Sequence, residues 1–250
     1  MTIFSFWDGH KWPVINLCQK TLLKYNPDAV ILNMSNIGNW VREENLPKWW
    51  RNSTTPWSAR TDWLRIYLLY TYGGLWIDAD IIVLQSLRSL NETNHDAVLF
   101  GATGHKCTKA NIQQWLYPSN WMLASKKNGH LLSICVDLFK KYHQMYDISK
   151  VGYHQIGKHL LWQAITQCSR PYSYFHVEPR HCGIRDKNGY WITTDRLCSS
   201  SDIHFQSDRK QMIVIVWYLS EMSMDYKTKS EKFWLNSHTH MGSFIRQALQ

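Results

Sequence analysis

The sequence predicts an α/β fold in which one doubly wound sheet carries helices on both faces. Strand and helix signals alternate from the N-terminus to about residue 170, as such a sheet requires. The chain has 250 residues and a mass of 29.6 kDa, which is enough to bury a large core within one domain. It contains no repeat, low-complexity run or obvious linker. We therefore expect a single domain over residues 1–250.

The segment from Ser58 to Leu84 is the most informative part of the chain. It begins with an apolar helix, and Gly73 suits the left-handed residue that ends a helix. Gly74 allows a tight turn into a buried strand, which leads to Asp78-Ala79-Asp80. We therefore expect the turn to bring the helix and the two carboxylates together.

Asp78 and Asp80 are predicted to hold a divalent cation. Side chains alternate along an extended chain, so both carboxylates point to one side while Ala79 points to the other. Mg²⁺ and Mn²⁺ prefer oxygen ligands and are usually held by one or two carboxylates plus phosphate oxygens of a substrate. The alternative is a pair of acids in a solvated turn. Apolar residues on both sides of the pair favour metal binding, because buried carboxylates are costly unless a cation neutralises them.

The helix before the turn carries three charges, on Arg60, Asp62 and Arg65. Its other residues are apolar around nearly the whole circumference, which is typical of a buried helix. Asp62 and Arg65 lie three residues apart and can form an intrahelical ion pair. That pair does not account for all three charges, because buried charges need partners or a ligand. We therefore expect Asp62 to accept hydrogen bonds from a ribose or base, and an arginine to face phosphate.

The later elements continue the alternation. Apolar runs and periodic apolar faces predict strands at 97–101, 173–177 and 211–219, and helices at 129–142, 154–168 and 242–249. A polar loop at 102–110 could close over a substrate.

The string A-R-T-D-W-L-R-I-Y-L-L-Y-T-Y-G-G-L-W-I-D-A-D, residues 59–80, resembles the donor-site core of the DxD sugar transferases. This group includes the capsular-polysaccharide-synthesis glycosyltransferases and the initiating yeast mannosyltransferases. The N-terminus is also similar to the family, with a strand at 3–7, a helix at 14–25 and Asn26-Pro27-Asp28 before a strand at 29–33. The resemblance is closest over residues 1–90 and becomes weaker toward residue 168 and beyond.

The resemblance implies a GT-A fold and metal-dependent transfer of a sugar from a nucleotide-sugar donor to a hydroxyl of a glycan or glycoconjugate acceptor. Residues 1–100 would form the donor-binding half and residues 101–250 the acceptor-binding half. A UDP-sugar is the first expectation, because metal-dependent enzymes of this fold often use UDP, and a GDP-sugar is the second. Mn²⁺ or Mg²⁺ is the implied cofactor.

The resemblance also assigns roles around the donor. Phe6 and Trp7 would lie beside the base. Asp62 and Arg65 would contact the donor, and Arg60 is a further donor-binding candidate.

The metal and the reacting sugar would be held by later residues. Asp80 would bind the metal, and Asp78 would contact the ribose or sugar and share the metal. His238 or His240 would add a metal ligand from a stretch similar to the family's closing His-rich motif.

Two further residues are candidates for catalysis beside Asp78. Asn120 lies at the start of a segment that resembles the family strand facing the donor sugar. His154 is one of the few histidines that we select for an acid–base or metal role, because a single histidine is usually a surface or hydrogen-bonded core residue.

The composition of the chain restricts the kinds of partner that we expect it to bind. A net charge of +9 fits an anionic partner, but the basic residues are scattered, which favours local phosphate contacts over a nucleic-acid surface. No apolar stretch approaches the roughly 18 residues of a membrane-spanning helix. Charged and polar residues interrupt the apolar start, so we expect no secretory signal and a cytoplasmic location. Six cysteines without CxxC spacing are expected to be free thiols.

The 14 tryptophans suggest a sugar-binding surface. Aromatic faces stack on sugar rings, and several tryptophans fall in irregular, polar stretches. We expect some of these to line an acceptor groove and the others to be core residues: Trp40, Trp49, Trp50, Trp57, Trp115 and Trp121.

Two other classes of function stay open. In a phosphohydrolase of the haloacid-dehalogenase type the first aspartate of D-x-D is the nucleophile, but a small turn follows it there, whereas Ile81-Ile82-Val83 follows here. A carbohydrate- or nucleic-acid-binding module without catalysis is the other alternative, and it would fit the tryptophan content and the positive charge.

Overall fold

The computed structural model describes residues 1–91, 95–102, 118–150, 155–168, 174–177, 186–188, 190, 192–205, 212–217 and 219–250. Within these ranges the predicted α/β class is confirmed. The strands are β1 (Ile3–Phe6), β2 (Val30–Leu32), β3 (Gly74–Ile77), β4 (Ile82–Val83), β5 (Ala97–Ala102), β6 (Pro118–Ser125), β7 (Tyr174–Val177) and β8 (Val214–Ile215). The helices are α1 (Pro13–Tyr25), α2 (Trp57–Tyr72), α3 (His130–Met145), α4 (Lys158–Gln167), α5 (Thr194–Leu197), α6 (Met224–Lys227), α7 (Glu231–Asn236) and α8 (His240–Leu249).

Six strands form a mixed sheet in the order β2-β1-β3-β6-β5-β7. β1 runs parallel to β2 and β3, and β5 runs parallel to β7. β6 runs antiparallel to both of its neighbours, β3 and β5. The carboxyl ends of β1 and β3 therefore meet the start of β6 at one edge of the sheet. A second, two-stranded sheet pairs β4 with β8.

The side chains of the central strands alternate between two hydrophobic cores. Leu75 and Ile77 of β3 pack in one core, and Trp76 between them packs in the other. The core that contains Trp76 also contains the apolar faces of α2, α3 and α4. Leu22 of α1 lies in the opposite core, and α1 continues into a third cluster shared with α8. Helices thus cover both faces of the sheet, as predicted.

The turn between α2 and β3 depends on two glycines. Gly73 and Gly74 have φ angles of +70° and +111°. A β-carbon on Gly74 would collide with the carbonyl oxygen of Thr2, and one on Gly73 would lie 2.7 Å from the backbone nitrogen of Lys127. A side chain at either position is therefore disfavoured by the positive φ angle and by the lack of space for a β-carbon. This confirms the predicted glycine turn.

Some predicted elements are shorter in the structure. Of the described residues in the strand predicted at 211–219, Val214–Ile215 form a strand, which pairs with Ile82–Val83 of β4. The helix predicted at 154–168 starts at Lys158. Residue 154 and residues 103–110 of the predicted polar loop lie outside the described residues.

The two predicted halves of the chain share one sheet. The boundary expected at residue 100 falls inside β5, and β6 lies between β3 and β5. The division therefore does not coincide with a structural boundary. Among the helices of the described ranges, none is both long and apolar enough to cross a bilayer.

We expect Gly74→Ala to lower the free energy of unfolding by about 2 kcal/mol or more, because alanine would combine a positive φ with a collision against Thr2. Urea denaturation followed by circular dichroism measures the change. Gly38→Ala is the matched control, since nothing lies within 4 Å of a β-carbon at Gly38. Equal stability of the two variants would show that the turn does not require glycine.

Candidate active site

A cleft of about 710 Å³ opens at the sheet edge where β1 and β3 end and β6 begins. Its size is that of a ligand-binding site. The turn after β1, the first half of α2, the turn after β3 and the start of β6 line it. Residues 216, 217 and 219–221 and two lysines, Lys158 and Lys227, also line it. Residues from all parts of the chain therefore meet at this edge.

The guanidinium of Arg65 joins three elements beside this cleft. It lies 3.4 Å from Asp62 Oδ1 in α2 and 2.9 Å from Asp78 Oδ1 after β3. It also donates a hydrogen bond to the backbone carbonyl of Asn120 in β6, and its Cζ lies 5.2 Å from the centre of the Trp76 ring. Only 6% of the side chain is exposed. The ion pair predicted within α2 is therefore present, and Arg65 has a second carboxylate partner.

Asp78 uses one carboxylate oxygen for the protein. Oδ1 accepts hydrogen bonds from Arg65 and, at 2.7 Å, from Trp76 Nε1. No donor among the described residues reaches Oδ2, while 31% of the side chain is exposed. Burial raises the pKa of Asp78, although Arg65 and the Trp76 hydrogen bond oppose the rise. The second oxygen is thus available to a ligand.

Asp80 lies in the same cleft and also has one oxygen engaged. Its Oδ2 accepts a hydrogen bond of 3.1 Å from the backbone nitrogen of Leu219. Burial, reinforced by the charge of Asp78, raises the pKa of Asp80 to about 7. A cation close to both carboxylates would favour their ionised forms and lower these pKa values.

Asp62 is buried between α2 and β6. Its Oδ1 accepts a hydrogen bond of 2.8 Å from Asn120 Nδ2. Burial raises its pKa to about 7 against the opposing charge of Arg65. Gly157, just before α4, packs on this pair, since a β-carbon there would collide with the Asp62 carboxylate. Asn120 therefore holds Asp62 directly and Arg65 through its carbonyl.

Among the residues that the structure describes, acidic side chains outnumber basic ones in the cleft. Five of these described acids line it, Asp8, Asp62, Asp78, Asp80 and Glu221, against the three described bases Arg65, Lys158 and Lys227. The whole chain carries a net charge of +9, so this local excess is a property of the site. Two of the acids, Asp62 and Asp78, pair with the single guanidinium of Arg65, so one positive charge faces two carboxylates.

The structure brings most of the predicted site residues together. Arg60 is an exception, because it does not line the cleft. Its NH2 group donates to the carbonyl of Asn52 at 2.7 Å, and its Cζ lies 4.4 Å from the centre of the Trp57 ring. Those that do line it are Phe6, Trp7, Asp62, Arg65, Asp78, Asp80 and Asn120.

The two C-terminal histidines predicted as metal ligands, His238 and His240, do not line the cleft. His154 lies outside the described residues. His238 is exposed, and His240 Nε2 lies 2.5 Å from the carbonyl oxygen of Ser201. Neither lines the cleft, because this segment starts α8, where Thr239 caps the helix. In the described part of the chain no three His, Cys, Asp or Glu side chains are grouped as metal ligands.

The tryptophans predicted in irregular stretches divide into two groups. Trp57 and Trp121 line the cleft, which agrees with the predicted aromatic lining. Trp115 lies outside the described residues. The others belong to or pack against the core with α2 and α3, so an acceptor groove is the wrong location for them: Trp40, Trp49 and Trp50.

Sequence reasoning missed several cleft residues. Asp8 lies two residues after the end of β1, and its position at the carboxyl end of a parallel strand is a signal that could have identified it. Lys158, Lys227 and Glu221 carry no such local signal, because packing of distant segments brings them to the cleft.

Residues 1–175 match the model of a family described as capsular polysaccharide synthesis protein. Because the match spans more than half of the 250 residues, the chain belongs to this family, and the predicted family is confirmed. No curated protein matches the chain at a significant level.

Solved glycosyltransferases have loosely similar folds. The PaToxG glycosyltransferase is 16% identical with a TM-score of 0.44, over 66% of this chain and 67% of its own. A glycosyltransferase involved in glycosylation of the major capsid of PBCV-1 is 12% identical with a TM-score of 0.49, over 91% and 96%. The galactosyltransferase LgtC, in complex with donor and acceptor sugar analogs, is 12% identical with a TM-score of 0.46, over 99% and 95%.

We expect Asp80→Asn to stabilise the metal-free protein more at pH 8 than at pH 5. The pKa of Asp80 is about 7 in the fold and about 3.9 in an unfolded chain. The stability that protonated Asp80 contributes is therefore present below about pH 4 and lost as the pH rises through about 7. Asparagine has nearly the same shape as aspartate but does not ionise. The free energy of unfolding of Asp80→Asn relative to wild type should therefore increase by about 1 kcal/mol or more from pH 5 to pH 8. Urea denaturation in EDTA at both pH values measures it.

Asp28→Asn is the control for this experiment. Asp28 is an exposed carboxylate whose pKa is lowered by its hydrogen bond with Arg88. Its replacement should therefore lower stability slightly at pH 8. If the free energy of unfolding of Asp80→Asn differs from that of wild type by the same amount at both pH values, the raised pKa of Asp80 is contradicted.

Proposed function

We propose that the chain is a glycosyltransferase that transfers a sugar from a nucleotide-sugar donor to a hydroxyl of a glycan or glycoconjugate acceptor. The donor's diphosphate would be held with Mn²⁺ or Mg²⁺ at Asp78 and Asp80. The observation that carries this proposal is the placement of both carboxylates at the carboxyl end of β3, in a cleft where acids exceed bases. Membership of a capsular polysaccharide synthesis family supports it.

The donor groups present fit a hard divalent cation. Asp78 Oδ2 has no hydrogen-bond donor in the described part of the chain, and Asp80 accepts hydrogen bonds from backbone N–H groups, including that of Leu219 on Oδ2. Two carboxylates are the number of protein ligands that Mg²⁺ usually takes when substrate phosphates complete its shell. When bound, such an ion would neutralise the diphosphate and the charge that develops as the sugar leaves.

The chain's own residues would orient the donor. Arg65 and Trp76 hold the Asp78 carboxylate through two hydrogen bonds to one oxygen, so the other oxygen keeps a defined direction. Lys158 and Lys227 line the same cleft and supply positive charge for phosphate oxygens. Binding and orientation of this kind lower the barrier by converting a bimolecular step into an effectively unimolecular one.

Asp62 and Asn120 would act next to the sugar as a connected pair. Asn120 donates to Asp62 and receives a hydrogen bond from Arg65 on its carbonyl, so its position at the start of β6 is fixed from two sides. Asp62 lines the cleft, and its ion pair with Arg65 leaves hydrogen-bonding capacity on the carboxylate for a donor hydroxyl. The two roles considered for Asp62, ion pair and ligand contact, are therefore compatible.

We assign the donor here to the class of nucleotide sugars without naming the nucleotide. The sequence predicts a UDP-sugar first and a GDP-sugar second. The carboxylates after β3 do not distinguish them, because both donors present the same diphosphate.

A thermal-shift experiment tests the proposal with UDP-, GDP- and CMP-sugars, each with and without Mn²⁺. A donor at about 100 times its Kd should add about 2.7 kcal/mol of stability, which corresponds to several degrees in Tm for a domain of this size. Asp80→Asn should lose the Mn²⁺-dependent part of the shift, because an amide does not replace an anionic ligand. The control Asp28→Asn alters an exposed carboxylate outside the cleft and should keep it.

The other function classes predict different results. Hydrolysis of a simple phosphate ester without any nucleotide-sugar activity would favour a phosphohydrolase. Binding of oligosaccharides with no Mn²⁺-dependent nucleotide binding would favour a carbohydrate-binding module. Either result would overturn the proposed function.

A further inference from the structure

The cleft offers different chemistry along the edge of the sheet. β1, β3 and β6 are successive neighbours in the sheet, about 5 Å apart. The lining beyond the end of β1 is rich in aromatic rings, and Asp78 and Asp80 follow β3. On the β6 side, Asn120 donates a hydrogen bond to Asp62. A diphosphate held after β3 would therefore have flat apolar rings toward one end and hydrogen-bonding groups suited to sugar hydroxyls toward the other.

Lys158 lies at the second of these ends. It is the first residue of α4, and it lines the cleft. Gly157, directly before it, packs closely on the Asp62–Asn120 pair, because a β-carbon there would collide with the carboxylate and lie 2.5 Å from Asn120 Nδ2. The backbone at Lys158 is thus held beside the groups that we assign to the sugar.

The ammonium of Lys158 has no carboxylate partner among the described residues. Its Nζ lies 5.3 Å from the centre of the Trp162 ring, one turn further along α4, and this contact supports the charge without neutralising it. Burial lowers the pKa of Lys158, and no neighbouring acid opposes the change. Because a half-buried ammonium is costly without a counter-charge, this position fits an anionic group on the ligand.

We propose that the sugar of the donor is acidic and that its carboxylate binds Lys158, an inference that rests on the proposed function. A uronic acid carries such a carboxylate at C6, where a neutral hexose has a CH₂OH group. Lys158 then serves the sugar, and Lys227 remains for the phosphate oxygens. Lys227 ends α6, which follows the segment beginning at Leu219, whose N–H donates to Asp80.

Isothermal titration with matched pairs of donors in the presence of Mn²⁺ tests the proposal. UDP-glucose and UDP-glucuronate differ only at C6, and GDP-mannose and GDP-mannuronate form the corresponding pair for the other nucleotide. In the pair whose nucleotide the protein binds, the acidic donor should bind about tenfold more tightly than the neutral one.

Lys158→Gln should reduce this preference to about twofold or less, because glutamine is uncharged and cannot form the ion pair. Its affinity for the neutral donor should stay close to that of wild type, which also shows that the variant is folded. Circular dichroism gives an independent check of the fold.

Two further variants separate a contact with the sugar from general binding. Lys227→Gln should weaken both donors of a pair by a similar factor and leave their ratio unchanged, because both carry the same diphosphate. Lys141→Gln removes an exposed charge of α3 that does not line the cleft, and it should leave both affinities unchanged.

The possible failures are distinct. Equal affinity of wild type for the acidic and the neutral donor would overturn the acidic sugar while the proposed function stands. Equal weakening of both donors by Lys158→Gln, as a phosphate contact would give, would do the same. Absence of binding by all four donors in the presence of Mn²⁺ would overturn both proposals.

Discussion

The contact of Arg65 with two aspartates is the interaction on which the site depends. Asp62 lies on the same helix, Asp78 follows the central strand β3, and the carbonyl of Asn120 belongs to β6. One guanidinium therefore fixes the relative positions of three elements. Its planar fork suits several acceptors at once, which a lysine ammonium cannot reproduce in the same geometry. Removing one partner of a buried ion pair leaves an unpaired buried charge and is strongly destabilising. The stability of the fold therefore depends on keeping Arg65 and its two aspartates together.

The remaining charges explain why the cleft is suited to a cationic ligand. Arg65 pairs directly with Asp62 and Asp78, whereas Asp80 forms no ion pair among the described residues and is repelled by Asp78. The pKa values of Asp62, Asp78 and Asp80 are all raised, which means that ionising these buried carboxylates costs free energy. Functional sites often carry such costs, because the same charges become favourable when the ligand binds.

The topology of the sheet makes the cleft possible. Two parallel strands, β1 and β3, end where the antiparallel strand β6 begins, and each contributes polar groups at that edge. The Gly73–Gly74 turn places α2 directly against β3, which brings Asp62 and Arg65 within reach of Asp78. Ligands of open α/β sheets bind at such strand ends.

The sequence by itself determined the elements and the local parts of the site. Periodic apolar residues predicted most helices and strands, the glycine pair predicted the turn, and the i,i+3 spacing predicted the Asp62–Arg65 pair. These features depend on covalent spacing and local conformation, which a single stretch of sequence contains.

Only the tertiary structure decided the contacts between distant segments. Asn120 lies 58 positions from Asp62, and Leu219 lies 139 positions from Asp80. The same packing directed Arg60 to Trp57, and it placed His238 and His240 at the start of α8, away from the lining of the cleft. A residue's chemistry shows what it can bind, but the packing of strands and helices determines which partners come within reach. The location of Asp78 and Asp80 in one site was therefore predictable from the sequence, whereas the groups that surround them were not.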